Sequence, residues 1–222
     1  MSKVAVLIPS YNGAKTIGPI VKDITGRGLV VYVVDDGSTD ETTSIAKNAG
    51  AIVIRHNINK GKGASLRDGF KEILKKDFDA VLLMDGDGQH DTKDIDKFLK
   101  SFSDLSADMI IGNRMSDTSI MPLSRKVTNR IMSYVISKLC GHKIDDTQCG
   151  FRLVNRAILE KANFKSSNYE IESEMLFKAV RKGFKIGSIP VKTVYRDEQS
   201  SINPVVDTLR FIVLLIRIMV GR

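Results

Sequence analysis

Cysteine is scarce in this chain of 222 residues, tryptophan is absent, and no hydrophobic run is long enough to span a bilayer. Each gap removes a class of protein. The two cysteines, Cys140 and Cys149, form no C-x-x-C pair and have no clustered histidines beside them, which argues against a zinc site or a disulfide framework and for a reducing cytoplasm. The opening MSKVAVLIPSYNG reaches a proline and a turn too soon for a signal peptide and reads as a strand. Near the end, TLRFIVLLIRIMVGR holds six apolar residues between Arg210 and Arg217. A spanning helix needs ~20.

Two nucleotide-binding signatures are missing as well. In NKGKGAS, Gly61-Lys62 is followed by Gly63 where a phosphate loop needs serine or threonine, and the first strand leads to PSYNG where a dinucleotide fold needs G-x-G-x-x-G. A nucleotidyltransferase would want a glycine-rich loop with arginine and lysine at that point, which IPSYNGAKT does not supply.

With 42% apolar and 27% charged residues, the chain has the composition of one sizeable folded α/β domain with an appendage. Its net charge of +8 is placed unevenly: residues 1–113 hold 15 Lys or Arg against 16 Asp or Glu, and residues 114–222 hold 19 against 10. An anionic partner for the second half follows, either nucleic acid or a phosphate-bearing membrane surface. Nucleic acid is disfavoured because the basic residues interleave with aliphatic runs and not with stacking aromatics.

Five short apolar runs, Val4–Ile8, Leu29–Val34, Ala51–Ile54, Ala80–Met84 and Met109–Ile111, read as strands buried on both faces. Helix-length segments separate them, with start signals at Thr39, Gly63 and Asp91. Strands alternating with helices predict a doubly wound, mostly parallel sheet, and no linker divides the chain into independent domains. Ligands of such sheets bind beyond the carboxyl ends of the strands. IPSYNG, VVDDGSTDET, NKGKGAS, MDGDGQH and IGNRM all fall there, which points to one shared polar crevice.

Within that crevice the pair Asp85 and Asp87, either side of Gly86, stands out. Carboxylates so close repel each other unless a cation intervenes, so a hard divalent ion, Mg²⁺ or Mn²⁺, bridging them to phosphate is the economical reading, with Gln89 offering a neutral oxygen. The bland alternative is a solvated acidic turn. Asp35-Asp36-Gly37-Ser38 reads equally as a ligand loop or as a turn and helix cap. Lys62 either faces a diphosphate or is a solvated lysine at a helix start.

The ordered set IPSYN, VVDDGSTDET, NKGKGASLRDGF and MDGDGQH, followed by GNRM and TQCGFRLVNR, resembles the family 2 glycosyltransferases of GT-A fold. Within them it is similar to the polyprenyl (dolichyl) phosphate mannose or glucose synthases, from Val4 to about Phe211. The resemblance implies a Rossmann-like catalytic domain over residues 1–200, with a nucleotide-sugar half at about 1–113, an acceptor half at about 114–200, and a C-terminal amphipathic helix at 201–222. It implies an inverting transfer of mannose or glucose from GDP-mannose or UDP-glucose to a polyprenyl phosphate. Pro9, Tyr11, Asn12, Asp35, Asp36, Gly37, Ser38 and Lys62 are then nucleotide-sugar residues, and Asp85, Asp87 and Gln89 hold the metal and diphosphate. Arg114, Arg125 and Arg196 become candidates for the acceptor phosphate, since a planar guanidinium can pair two of its oxygens. Asp146 is a candidate base or sugar-orienting carboxylate, or simply a loop acid beside Asp145. Gly13 departs from the glutamate the family often has there, which leaves the base preference open. Other acceptors, such as a cell-surface glycan, and a non-catalytic membrane module are the alternatives.

Leu123, Val127, Ile131, Val135 and Leu139 recur every four residues, with Arg125, Lys126, Arg130 and Lys138 around the same predicted helix. Such a helix lies in a membrane interface or packs on a core. The charge asymmetry favours the interface, and hence a peripheral enzyme on the cytoplasmic face. The apolar face of the C-terminal helix is expected to meet lipid, a membrane-protein partner, a second copy of the chain or the domain itself. YEIESEMLFKAVRKGFKIGSIPVKTVYR reads as a helix, a stop at Gly183 and a strand pair; Glu170, Glu172 and Glu174 either touch sugar or suit a helix N-terminus.

Overall fold

In the computed structural model, residues 2–104, 106–119, 121–194, 210, 211 and 213–216 are described. Seven strands form one sheet in the order β3-β2-β1-β4-β6-β5-β7. They are β1 (Val4–Ser10), β2 (Val30–Asp35), β3 (Ile52–Arg55), β4 (Ala80–Leu83), β5 (Met109–Asn113), β6 (Arg152–Asn155) and β7 (Ile186–Pro190). The five apolar runs are strands, as expected, and the sheet is mostly parallel. Central β1 and β4 are buried on both faces, with Ala5 to Ile8 fully shielded from solvent. That is why they read as continuous apolar runs without alternation.

The helices are α1 (Ile17–Gly26), α2 (Thr42–Asn48), α3 (Lys62–Leu74), α4 (Ile95–Asp104), α5 (Leu123–Cys140), α6 (Arg156–Lys161) and α7 (Ile171–Arg181). Helix α3 packs on β1 and β2, α4 on β5, β6 and β7, and α5 on α7. Gly69 sets the α3 approach: a Cβ there would lie 2.4 Å from Leu7 Cδ1. Asp91 caps the turn before α4 by accepting from Lys93 N, as its position predicts. Helix α3 begins at Lys62 behind Gly61, two residues ahead of the predicted start, and α2 begins at Thr42, three residues after Thr39.

Three features differ from expectation. Helix α1 carries Gly18 and Pro19, which hide it; both lie in its first turn, where backbone N–H groups have no helical partner to lose. Strand β6 runs antiparallel to both neighbours, pairing Leu83 and Ile111 with Arg152. Its first residue is a buried arginine, which disguises the strand. The predicted strand pair after Gly183 is one strand, β7, plus an isolated bridge between His90 and Thr193. Because β6 is antiparallel, its start and the loop before it arrive at the edge where β4 and β5 end. The two proposed halves of the chain therefore share a single sheet.

Candidate active site

Register aligns the carboxyl ends: Ser10 pairs with Asp35, and Asp35 with Arg55. Beyond them three loops are laced together. Asn12, in the left-handed region at φ 51°, receives Thr39 N on its side-chain oxygen at 2.9 Å, and its own N–H donates to Ser38 Oγ at 2.9 Å. Asp35 is fully buried, accepting from Ser38 N at 2.9 Å and from the Thr43 hydroxyl. Asp36 is buried too and accepts from Lys60 N, Gly61 N and His56 Nδ1 at 2.9, 2.8 and 2.6 Å. Gly37, at φ 78°, has no room for a Cβ, which would lie 2.6 Å from the Ile58 carbonyl carbon. Both carboxylates thus hold the loops. Pro9 and Gly37 remain partly open and Tyr11 is half exposed at the rim.

At the end of β4, Asp85 Oδ1 meets Lys62 Nζ at 2.5 Å and Asp85 Oδ2 meets His90 Nε2 at 3.3 Å. Burial works against charge on Asp85, but Lys62 and His90 outweigh it and hold this carboxyl far below the usual range. Burial also opposes the Lys62 charge, and Asp85 with Glu172 reverses that, so its pKa rises. Lys62 is therefore no solvated lysine: it lies 2.6 Å from Glu172 Oε1. Asp87 behaves oppositely. Burial first, and the Asp85 charge second, push its carboxyl upward, while Oδ1 accepts Gln89 N at 2.9 Å. A carboxylate raised in this way is short of positive charge, and with the Gln89 amide it offers the hard oxygen donors that suit Mg²⁺ or Mn²⁺. Thr16 steadies the loop by donating to Gly86 O at 2.6 Å.

Across the edge, Asp146 is buried and accepts from Arg114 N, Nε and Nη2 at 3.1, 2.8 and 3.0 Å, from Asn129 Nδ2 at 2.8 Å and from Gln148 N at 3.2 Å. These donors, Arg114 foremost, overcome burial and lower its pKa. A carboxylate so fully bonded is a poor proton acceptor; it orients Arg114 through the guanidinium Nε and Nη2. Arg125 is exposed on the first turn of α5, and Arg196 lies outside the described residues.

Helix α5 faces the other way from an ordinary surface helix. Asn129, Ser133 and Ile136 are buried, whereas Leu123, Val127, Ile131, Tyr134 and Leu139 are 74%, 48%, 58%, 67% and 43% exposed. Polar groups turn inward because Asn129 serves Asp146 and Ser133 pairs with Thr147. Of the C-terminal segment, residues 210, 211 and 213–216 are helical, with Phe211 and Leu214 buried and Val213 and Ile216 exposed. No helix among the described residues is long and apolar enough to cross a membrane.

Arg152 and His56 are site supports that sequence reasoning missed. Arg152 is fully buried and donates to Cys149 O, Glu172 O and Thr147 O at 2.7, 2.7 and 2.8 Å. His56 links Asp36 to Asp68, the latter at 3.2 Å. Of the three candidate glutamates, Glu172 meets Lys62, whereas Glu174 accepts from the backbone of Lys165 and Ser166.

Comparison with known proteins agrees with this geometry. The family model "Glycosyl transferase family 2" matches residues 5–162. A UDP-N-acetylglucosamine–dolichyl-phosphate N-acetylglucosaminyltransferase of Methanococcus voltae is 30% identical over 215 residues, covering 86% of this chain and 86% of the relative. A polyprenol monophosphomannose synthase of Mycolicibacterium smegmatis is 28% identical, covering 86% and 77%. Among solved structures, the glucosyl-3-phosphoglycerate synthase of Mycobacterium tuberculosis, in complex with Mn²⁺, UDP and phosphoglyceric acid, superposes with a TM-score of 0.75 at 18% identity, covering 99% of this chain and 78% of that one. That likeness speaks to the fold.

Proposed function

The chain belongs to glycosyl transferase family 2, and on that premise we propose that it moves a hexosyl group from a nucleoside diphosphate sugar to a polyprenyl phosphate at a membrane surface. The observation that carries the acceptor is α5: it buries Asn129 and Ser133 beside Asp146 and presents Leu123, Ile131 and Tyr134 outward, with Arg125 and Arg130 exposed among them. An apolar face ringed by cations suits an anionic bilayer. Two matching relatives are named for lipid products or acceptors, one a dolichyl-phosphate N-acetylglucosaminyltransferase and the other a polyprenol monophosphomannose synthase. The donor side is about residues 1–113 and the acceptor side about 114–200, and the protein sits peripherally on the cytoplasmic face of the membrane.

The chemistry asks little acid–base work of the protein. A phosphate oxygen of the acceptor, anionic at neutral pH, attacks the anomeric carbon from the face opposite the leaving diphosphate, so one C–O bond forms as the other breaks and configuration inverts. Asp146 then serves as the clamp for Arg114, which with Arg125 aligns the acceptor phosphate. A divalent ion held by Asp87 and Gln89, when bound, supplies positive charge to the departing diphosphate. Tyr11, Pro9 and Gly37 line the rim open to the nucleoside.

Calorimetric titration of UDP, GDP and their sugars, with and without Mn²⁺, tests the donor. Metal-dependent binding of one nucleotide is expected; no binding to any leaves a non-catalytic membrane module. For the membrane, Leu123→Glu with Ile131→Glu is expected to lower co-flotation with anionic vesicles about tenfold or more, since each apolar side chain withdrawn from lipid forfeits roughly 1.5–3 kcal/mol. Unchanged flotation, with folding intact by circular dichroism, removes α5 from the interface.

A further inference from the structure

The two aspartates of the D-G-D segment are treated differently by their surroundings. Asp85 is closed off on three sides. Lys62 Nζ takes one oxygen at 2.5 Å, His90 Nε2 the other at 3.3 Å, and behind it Gly150 is so near that a Cβ there would lie 2.4 Å from Asp85 Oδ2. Asp87 Oδ1 accepts from the backbone of Gln89.

Lys62 itself cannot wander. Its second partner, Glu172 Oε1, stands 2.6 Å away, and Glu172 Oε2 lies 4.0 Å from the buried Arg152 guanidinium. The first turn of α3 is pinned as well. Gly61, at φ 92°, would bring a Cβ within 2.5 Å of Asn168 Oδ1 and Ser167 O, and Gly63 one within 2.6 Å of Ser166 O, so residues 166–168 press directly on the backbone that carries Lys62. Ala64 N adds a hydrogen bond to Ser167 O at 3.1 Å.

We propose that Lys62 is a positioning residue whose ammonium, clamped between Asp85 and Glu172, keeps Asp85 out of the metal's coordination sphere, so that a divalent cation is held by Asp87, Gln89 and the donor's diphosphate together. The inference rests on the donor reading given above. It follows from charge count: a fixed ammonium cancels one of the two carboxylates, and cations of the Mg²⁺ type held by one carboxylate rely on substrate phosphates for the rest of their shell. Metal binding is then conditional on the donor, and the enzyme does not lock an ion into an empty site.

The test is Mn²⁺ binding to the full chain, read from loss of the free-ion paramagnetic resonance signal, with and without UDP or GDP. Wild type and Lys62→Arg bind Mn²⁺ weakly alone and at least about tenfold tighter with nucleotide. Lys62→Met, which frees Asp85, binds Mn²⁺ alone about tenfold tighter than wild type, and adding Asp85→Asn removes that gain. Lys62→Met affinity equal to or weaker than wild type overturns the proposal. Should Lys62→Met fail to fold, Asp85→Asn in the wild-type background decides: the clamp leaves Mn²⁺ binding within about twofold of wild type, and a loss of about tenfold or more overturns it. A Lys62→Met gain with no response to either nucleotide upholds the clamp and overturns the donor reading instead.

Discussion

Replacing Asp87 with alanine is expected to lower kcat/KM for sugar transfer about a thousandfold or more, equivalent to roughly 4 kcal/mol of transition-state stabilisation. The size follows from the metal role proposed for the residue. Charge accumulates on the leaving diphosphate as the anomeric bond breaks, and Asp87 is the carboxylate that the site leaves short of a cation, raised by burial and by Asp85. Its structural duty is slight by comparison: it accepts one hydrogen bond, from Gln89 N two residues on, in a loop at the sheet edge. Thermal stability should therefore change by under about 1 kcal/mol. Titration of the variant should lose the Mn²⁺-dependent part of nucleotide binding and keep any metal-independent part. Metal-stimulated transfer that survives Asp87→Ala would show that the ion sits elsewhere.

Arg152→Ala should have the largest effect on folding, a loss of about 3–5 kcal/mol. Arg152 has no solvent exposure, and its three hydrogen bonds fasten Thr147 O, Cys149 O and Glu172 O, which belong to the loop before β6 and to α7. Truncation takes the guanidinium away from three carbonyls, removes the cation 4.0 Å from Glu172 and opens a cavity. At roughly 2–4 °C per kcal/mol for a chain of this size, the melting temperature should fall by about 6–20 °C. Lysine should recover little, because one ammonium cannot span three divergent carbonyls as a guanidinium fork does. Calorimetric scans of the two variants check this; a shift within 2 °C for Arg152→Ala, within about 1 kcal/mol, would contradict it.

These two residues mark where the sequence could and could not be read. Asp87 could be singled out because its signal is local: a carboxylate two residues from another, at the end of an apolar run, marks a strand end, and β4 does end there. The central strands were visible for the same reason, since burial on both faces leaves an uninterrupted apolar stretch. Arg152 was hidden because its partners are carbonyls gathered by the fold, and a charged residue at the head of Arg152–Asn155 masks a strand. Helix α1 was hidden by Gly18 and Pro19, whose breaker reputation does not apply in a first turn.

The candidate site shows the same division. Placement of the five loops at one edge follows from the alternation of strands and helices. Which side chains face a ligand does not, because that depends on pairings between distant positions. Lys62 and Glu172 are 110 residues apart yet touch. Asp35 and Asp36 look like ligand residues, but three loops compete for their oxygens and the hydrogen bonds run inward. Asp146 looks available for proton transfer until Arg114, Asn129 and Gln148 are counted around it. The stripe on α5 was legible as periodicity alone; that Leu123, Val127, Ile131 and Leu139 face outward, with Val135 half-buried, is set by the buried Asp146 network.

The measurement closest to the central claim is transfer itself: labelled sugar from UDP-glucose, GDP-mannose or UDP-N-acetylglucosamine, polyprenyl phosphate in anionic vesicles, Mn²⁺, and a count of label extracted into organic solvent. The account predicts lipid-extractable label from one of these donors, dependent on both the phosphate of the lipid and the metal, and abolished by chelation. Label that enters water-soluble acceptors but never the polyprenyl phosphate, from a protein that binds the nucleotide normally, would contradict it.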